Sequence, residues 1–185
     1  MEKYKNRYRI PSARWAAWDY SANGAYFVTI CVDERAHVFG RVVDGVMQFT
    51  PLGQCADDCW NEIPQHFPFV ELGAHQIMPN HVHGVIVIAK PADADVETHD
   101  HASVETQDFA SLPRNRFGPQ SKNLASIVRG YKIGVTKFAR ANNIPFAWQA
   151  RYHDHVIRND GEWERITKYI MANPMNWKHD EFNQK

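Results

Sequence analysis

Apolar positions recur along this chain with two periods, and the switches between them outline the elements. Residues 25–32, Ala-Tyr-Phe-Val-Thr-Ile-Cys-Val, are β-branched and aromatic and predict a buried strand. Between Val38 and Thr50, Asp44-Gly45 separates two short apolar runs, which predicts a hairpin. From Pro51 to about His66, Leu52, Cys55, Ala56, Cys59, Trp60 and Ile63 fall at helical spacing, with Pro51 in the first turn. Residues 69–77 and 81–88 read as strands, and the tight connection Met78-Pro79-Asn80 makes the pair antiparallel. Leu124, Ile127, Val128, Tyr131, Val135, Phe138 and Ala139 form a helical stripe reaching about Ala141. Ser121 or Asn123 is placed to cap it, and Asn142-Asn143-Ile144-Pro145 to end it. A short strand from Tyr152 to Ile157 follows. The last helix begins at Asn159 or Asp160, carries Trp163, Ile166, Tyr169 and Ile170 on one side, and is expected to stop at Pro174. The order β-β-β-α-β-β-α-β-α predicts an α+β fold: a ferredoxin-like antiparallel sheet with helices packed on one face.

One stretch breaks the pattern. Residues 91–118 lack periodicity and are rich in Asp, Glu, Ala, Pro and Ser, which predicts a mobile linker within a single domain spanning 1–185. Formal net charge is zero over 185 residues, but the zero is a cancellation. From Pro91 to Ala110 the acids are Asp93, Asp95, Glu97, Asp100, Glu105 and Asp108, with no Lys or Arg. From Ser111 to His153 there are Arg114, Arg116, Lys122, Arg129, Lys132, Lys137, Arg140 and Arg151 without an acid, and Lys3, Lys5, Arg7, Arg9 and Arg14 crowd the N-terminal stretch. Such segments can bind phosphate locally despite overall neutrality. Trp15, Trp18 and Tyr20 stand close behind the basic stretch, where they either stack on unpaired bases or pack the first strand. No apolar run is long enough to cross a bilayer, and residues 1–7 lack the apolar stretch expected of a secretory leader. Cys31, Cys55 and Cys59 complete no zinc pattern and read as reduced thiols of a cytosolic protein.

The candidate chemistry lies in His81-Val82-His83. Strand side chains alternate faces, so both imidazoles project the same way and form a ready pair of ligands for a divalent metal. Tyr169 and Asn173 are four apart on the last helix and share a face. If that face meets the sheet beside the histidines, Asn173 can bring a carbonyl oxygen to the metal and Tyr169 a nucleophile to whatever the metal holds. Tyr131, between Arg129 and Lys132, is the rival nucleophile but has Val135 where a ligand would be wanted. His153 and His155 form a second His-x-His; His155 and Arg158 suit a supporting role or a phosphate contact. Candidate DNA contacts are Arg9, Arg14, Arg129, Lys132, Arg151 and Arg158. Tyr169 can equally be a core residue with its hydroxyl at the rim, and Asn173 a helix terminator.

Met78-Pro79-Asn80-His81-Val82-His83-Gly84 resembles the metal motif of the HUH single-tyrosine transposases, and in particular of the REP-associated tyrosine transposases, which are linked to repetitive extragenic palindromes in bacteria. Four further stretches share the resemblance: residues 24–31, Trp148-Gln149-Ala150-Arg151-Tyr152, His155-Val156-Ile157-Arg158-Asn159 and Tyr169-Ile170-Met171-Ala172-Asn173-Pro174. The matches run from about residue 8 to 177 and leave out the acidic linker. The resemblance implies a ferredoxin-like fold and cleavage of single-stranded DNA near a hairpin, dependent on Mg²⁺ or Mn²⁺. By motif position His81 and His83 resemble the metal pair, Asn173 a third ligand and Tyr169 the nucleophile that forms a 5′-phosphotyrosine link. Strand transfer by the freed 3′-hydroxyl would follow, in a cytoplasmic, nucleoid-associated monomer or homodimer. Two other readings stay open: a non-catalytic hairpin-binding protein, and a metal-dependent phosphodiesterase that uses water.

Overall fold

The structure is a computed structural model; it describes residues 19–91 and 122–183, and the backbone of two short paired strands, β1 (Lys3–Tyr4) and β2 (Arg7–Tyr8). The other elements follow in the predicted order. They are β3 (Gly24–Cys31), the hairpin β4 (Gly40–Val43) and β5 (Val46–Phe49), α1 (Pro51–Asn61), α2 (Ile63–His66), β6 (Val70–Ile77), β7 (His81–Ile88), α3 (Leu124–Ala141), β8 (His153–Ile157) and α4 (Asp160–Asn176). The predicted linker lies outside the described residues from position 92, as do Ser121, Arg9, Arg14, Trp15 and Trp18.

Four strands make the main sheet in the order β6-β7-β3-β8, every neighbouring pair antiparallel. Connections β3–α1–β6 and β7–α3–β8 thread it as a split pair of crossovers, the ferredoxin-like arrangement of an α+β protein. Period-two alternation divides each strand between two faces. On one face Tyr26, Val28, Ile30, Val82 and Ile86 meet Leu52, Ala56 and Trp60 of α1 and Leu124, Ile127 and Tyr131 of α3 in the main core. The two crossover helices thus share one face, but the last helix does not join them there as the sequence suggested. The additional helix, α4, covers the other face, where Trp163, Ile166 and Ile170 pack on Phe27, Val85 and Val87. That second layer is what brings Tyr169 to the sheet.

Local signals explain the boundaries. Asn123 caps α3: its side chain accepts from Ser126 N at 2.9 Å, while Asn123 N donates to Ser126 Oγ at 3.1 Å. Asn159 caps α4 by accepting from Glu162 N at 2.9 Å. The helix expected over 51–66 is two, interrupted at Glu62, because Pro64 has no N–H to continue the helical ladder. Pro174 does not end α4, which continues to Asn176. In the last turn the ring removes only one backbone bond, and the Trp177 N–H closes the helix on the Pro174 carbonyl. Among the described residues, no helix is long and apolar enough to cross a membrane. All three cysteines are thiols, and the Sγ atoms of Cys55 and Cys59 are 3.8 Å apart.

Gly84, which follows the histidine pair, is dictated from the opposite face. A Cβ there would lie 2.2 Å from Trp60 Cζ2 and 2.6 Å from Cη2. Trp60 is wholly buried, T-shaped against Tyr131 at 5.3 Å between centroids, and has nowhere to retreat. Gly84→Ala is therefore expected to destabilise the fold by about 1–3 kcal/mol, the usual cost of overpacking, read as a lower denaturant midpoint. An unchanged midpoint would show that Trp60 has room to move.

Candidate active site

β7 runs between β6 and β3, so the histidines at its start stand on an interior strand. His81 and His83 project to the α4 face with ring centroids 4.4 Å apart, and are 0% and 2% exposed. Asn80 determines what His81 presents. Its amide Nδ2 donates to the carbonyls of Arg35 (3.1 Å) and Phe182 (2.8 Å), which turns Oδ1 toward His81 Nδ1 at 2.8 Å. A carbonyl oxygen only accepts, so Nδ1 carries the proton and Nε2 keeps its lone pair. That Nε2 is buried without a hydrogen-bond partner. His83 is held by two hydroxyls, Thr29 Oγ1 at 2.9 Å from Nδ1 and Tyr169 Oη at 3.3 Å from Nε2.

Tyr169 reaches this point from α4. Its ring meets His83 at 5.3 Å and stands edge-on to Phe27 at 6.2 Å between centroids, leaving it 46% exposed. One turn on, Asn173 is buried; its Nδ2 donates to Asp180 Oδ2 at 3.2 Å, and its Oδ1 has no partner. The segment after α4 closes over the pair. Phe182 lies 4.5 Å from the His81 ring at 37° and 6.0 Å from His83. The Arg35 guanidinium sits 4.9 Å over Phe182 and donates to the Glu181 carbonyl at 3.0 Å.

Electrostatics follow from this burial. Desolvation pushes His83 down to about 3. It holds His81 well below the ordinary imidazole range, with help from His83, Arg35 and His37. Both rings are neutral at physiological pH, the form that binds metal. Partial burial raises the Tyr169 phenol, as do the nearby Asp180 and Glu181 charges, while a hydrogen bond from Asn173 favours the phenolate.

Two buried acceptor atoms, His81 Nε2 and Asn173 Oδ1, thus lack any donor, and such groups are costly unless something satisfies them. Together with His83 Nε2 they are the donor types, imidazole nitrogen and amide oxygen, that a divalent cation such as Mg²⁺ or Mn²⁺ would accept. Among the described residues no third His, Cys, Asp or Glu joins them in a cluster.

The structure brings Tyr169, His81, His83 and Asn173 together on one face, and Tyr131 is not with them. Tyr131 lies in the core on the opposite face, 3% exposed, with its phenol raised well above normal by burial. Its hydroxyl is buried without a partner, so Tyr131→Phe is expected to leave the melting temperature unchanged or higher. A fall of several degrees would assign that hydroxyl a role.

His155 shares the α4 face through its pairing with Phe27, but its Nε2 is engaged by Glu162 Oε1 at 3.2 Å. His153 is opposite Thr29 and exposed. The Arg158 N–H donates to Glu162 Oε2 at 2.9 Å. Lys132 is committed to architecture: Nζ donates to the carbonyls of Gln149 (2.8 Å) and Arg151 (3.1 Å), and burial brings it down to about 8. Arg129 is exposed beside it on α3. Arg9 and Arg14 are outside the described residues.

Sequence reasoning assigned no role to Thr29, Asn80, Asp180 or Phe182. Asn80 carried a signal, being an amide next to a candidate ligand in a tight turn; the other three become visible only in the folded chain.

Fold and site define an α+β protein with a histidine pair and a tyrosine on one face of a ferredoxin-like sheet. No protein-family model matches the chain. An uncharacterized Haemophilus influenzae protein is 36% identical over 171 residues, covering 92% of this chain and 91% of that protein. A second H. influenzae protein, provisionally named a REP-associated tyrosine transposase, is 23% identical over 157 residues, 85% of this chain and 73% of that protein. Among solved structures, a REP-associated tyrosine transposase bound to a REP hairpin shares the fold with a TM-score of 0.54 and 19% identity, over 97% of this chain and 74% of that one. The chain belongs to one family with the first of these proteins, and its similarity to the second protein and to the solved structure agrees with the resemblance carried by its motifs.

Proposed function

We propose that this protein cuts and rejoins single-stranded DNA at hairpin-forming palindromes through a 5′-phosphotyrosine link to Tyr169. The observation that carries the reading is the 3.3 Å approach of Tyr169 Oη to His83 Nε2, beside two buried acceptors with no donor. His81, His83 and Asn173 would hold Mg²⁺ or Mn²⁺. When bound, the cation supplies positive charge near the attacked phosphoryl group, where negative charge develops. The rest falls to the chain. Phe27 and His83 fix the Tyr169 ring, and Asn80 and Thr29 fix the imidazoles. In the forward step the Tyr169 Oη–P bond forms as the P–O3′ bond breaks; the phenol proton passes through solvent to the 3′-oxygen, which leaves as a hydroxyl. That hydroxyl can attack the phosphotyrosine in the reverse sense, so the energy of the cut bond is retained for transfer.

The binding partner fits the same reading. A relative of this fold binds a REP hairpin, and the basic residues Arg129, Arg151 and Arg158 on this chain suit a phosphate backbone. The test is incubation with a 5′- or 3′-labelled hairpin oligonucleotide and Mn²⁺, resolved on a denaturing gel. A protein-linked band together with a free 3′-hydroxyl product supports the proposal. Cleavage without a linked band would transfer the chemistry to water, and retention of intact DNA alone would make the protein a hairpin binder.

A further inference from the structure

We propose that Asp180 is a positioning residue for the metal site, acting through the side-chain amide of Asn173. This rests on the proposed function. An asparagine can offer a metal either its oxygen, which binds, or its NH₂, which repels, and the two differ by a flip about one bond. Asp180 settles the flip. Its Oδ2 accepts the Asn173 Nδ2–H at 3.2 Å, leaving Asn173 Oδ1 buried and unpartnered on the other arm of the amide. The opposite flip would set Oδ1 against the Asp180 carboxylate, two acceptors face to face. Asp180 is itself fixed, because Oδ1 accepts the Phe182 N–H at 2.7 Å and its own N–H closes the preceding turn on Trp177 O at 3.2 Å.

The same short segment orients a second ligand. The Phe182 carbonyl is one of the two acceptors that turn the Asn80 amide, and Asn80 in turn fixes the proton of His81 on Nδ1. Residues 180–182 therefore present lone pairs, one on Asn173 and one on His81, without themselves needing to touch the cation. Outer groups of this kind are commonly worth tenfold or more in metal affinity, on the order of 10–100-fold.

Mn²⁺ binding to the DNA-free protein, read by titration calorimetry and by the spectrum of bound Mn²⁺ in electron paramagnetic resonance, tests this. Asp180→Ala is expected to weaken binding by about tenfold or more, and Asp180→Asn, which still accepts from Asn173, by much less. Asn173→Asp removes the need for orientation, since a carboxylate presents oxygen either way. In that background Asp180→Ala is expected to cost nothing, or to improve binding by removing a like charge. Melting temperatures without metal check that each variant is folded. Equal losses from Asp180→Ala in both backgrounds would make Asp180 a direct ligand or a mere charge and overturn the inference, as would no loss in either. Absence of Mn²⁺ binding by the unaltered protein would overturn the metal reading itself.

Discussion

Tyr169→Phe is expected to abolish the protein–DNA adduct while leaving hairpin binding essentially intact. The substitution removes one oxygen, and with it the 3.3 Å contact to His83 Nε2, from a half-exposed ring that still packs on Phe27 and His83. Affinity for a hairpin comes mainly from phosphate contacts spread over basic side chains, which are untouched. Chemistry, in contrast, has no substitute for the missing atom. Loss of a nucleophile that works with its partners costs on the order of 10⁴-fold or more in rate. Tyr131→Phe is the control: its hydroxyl lies on the other side of the sheet, buried in the core, and adduct yield should not change. The measurement is the protein-linked band on a denaturing gel beside a mobility shift on the same oligonucleotide. An adduct that survives Tyr169→Phe and disappears with Tyr131→Phe would move the nucleophile across the sheet and end the proposed arrangement.

Much of this site could be read in advance because each part has a local cause. A two-residue repeat is enough to put His81 and His83 on one face. Four residues along a helix are enough to put Tyr169 and Asn173 on another. What periodicity does not contain is the meeting of those faces, which depends on α4 folding back under the sheet after β8. The stripe Trp163, Ile166 and Ile170 shows that α4 buries something, and Val85 and Val87 that β7 has a second apolar face; neither names the other. Gly84 reads as part of a histidine motif and proves to be spacing for Trp60, from a helix more than twenty residues earlier. Pro174 reads as a stop because a ring forbids one hydrogen bond, yet a last turn tolerates that loss. Asp180 and Phe182 follow the last periodic helix with no pattern of their own. Their importance comes from hydrogen bonds to Asn173 and Asn80, pairs 7 and 102 residues apart.

Acid should unfold the metal-free protein earlier than its carboxylates alone require, and His83 should account for a measurable share. Its imidazole falls from an ordinary 6.5 to about 3 because burial disfavours the charged form. The unfolded chain therefore binds a proton as pH drops through 6.5 while the folded chain does not, and stability falls with pH across the window from 6.5 to 3. Above 6.5 this group makes stability independent of pH; below the folded value both states are protonated and no further loss accrues. The slope is roughly 1.4 kcal/mol per pH unit, so on the order of 2–3 kcal/mol is lost near pH 4.5, a substantial part of the about 5–15 kcal/mol typical of a domain. His81 is displaced in the same direction and steepens the loss. Urea melts in the presence of a chelator, compared for the unaltered protein and His83→Asn between pH 7 and 4.5, isolate the contribution: the variant should lose stability less steeply by about one proton. Parallel slopes would mean that the folded protein accepts a proton at His83 without cost. In that case the ring is hydrated, and a site built on dry, neutral imidazoles is excluded.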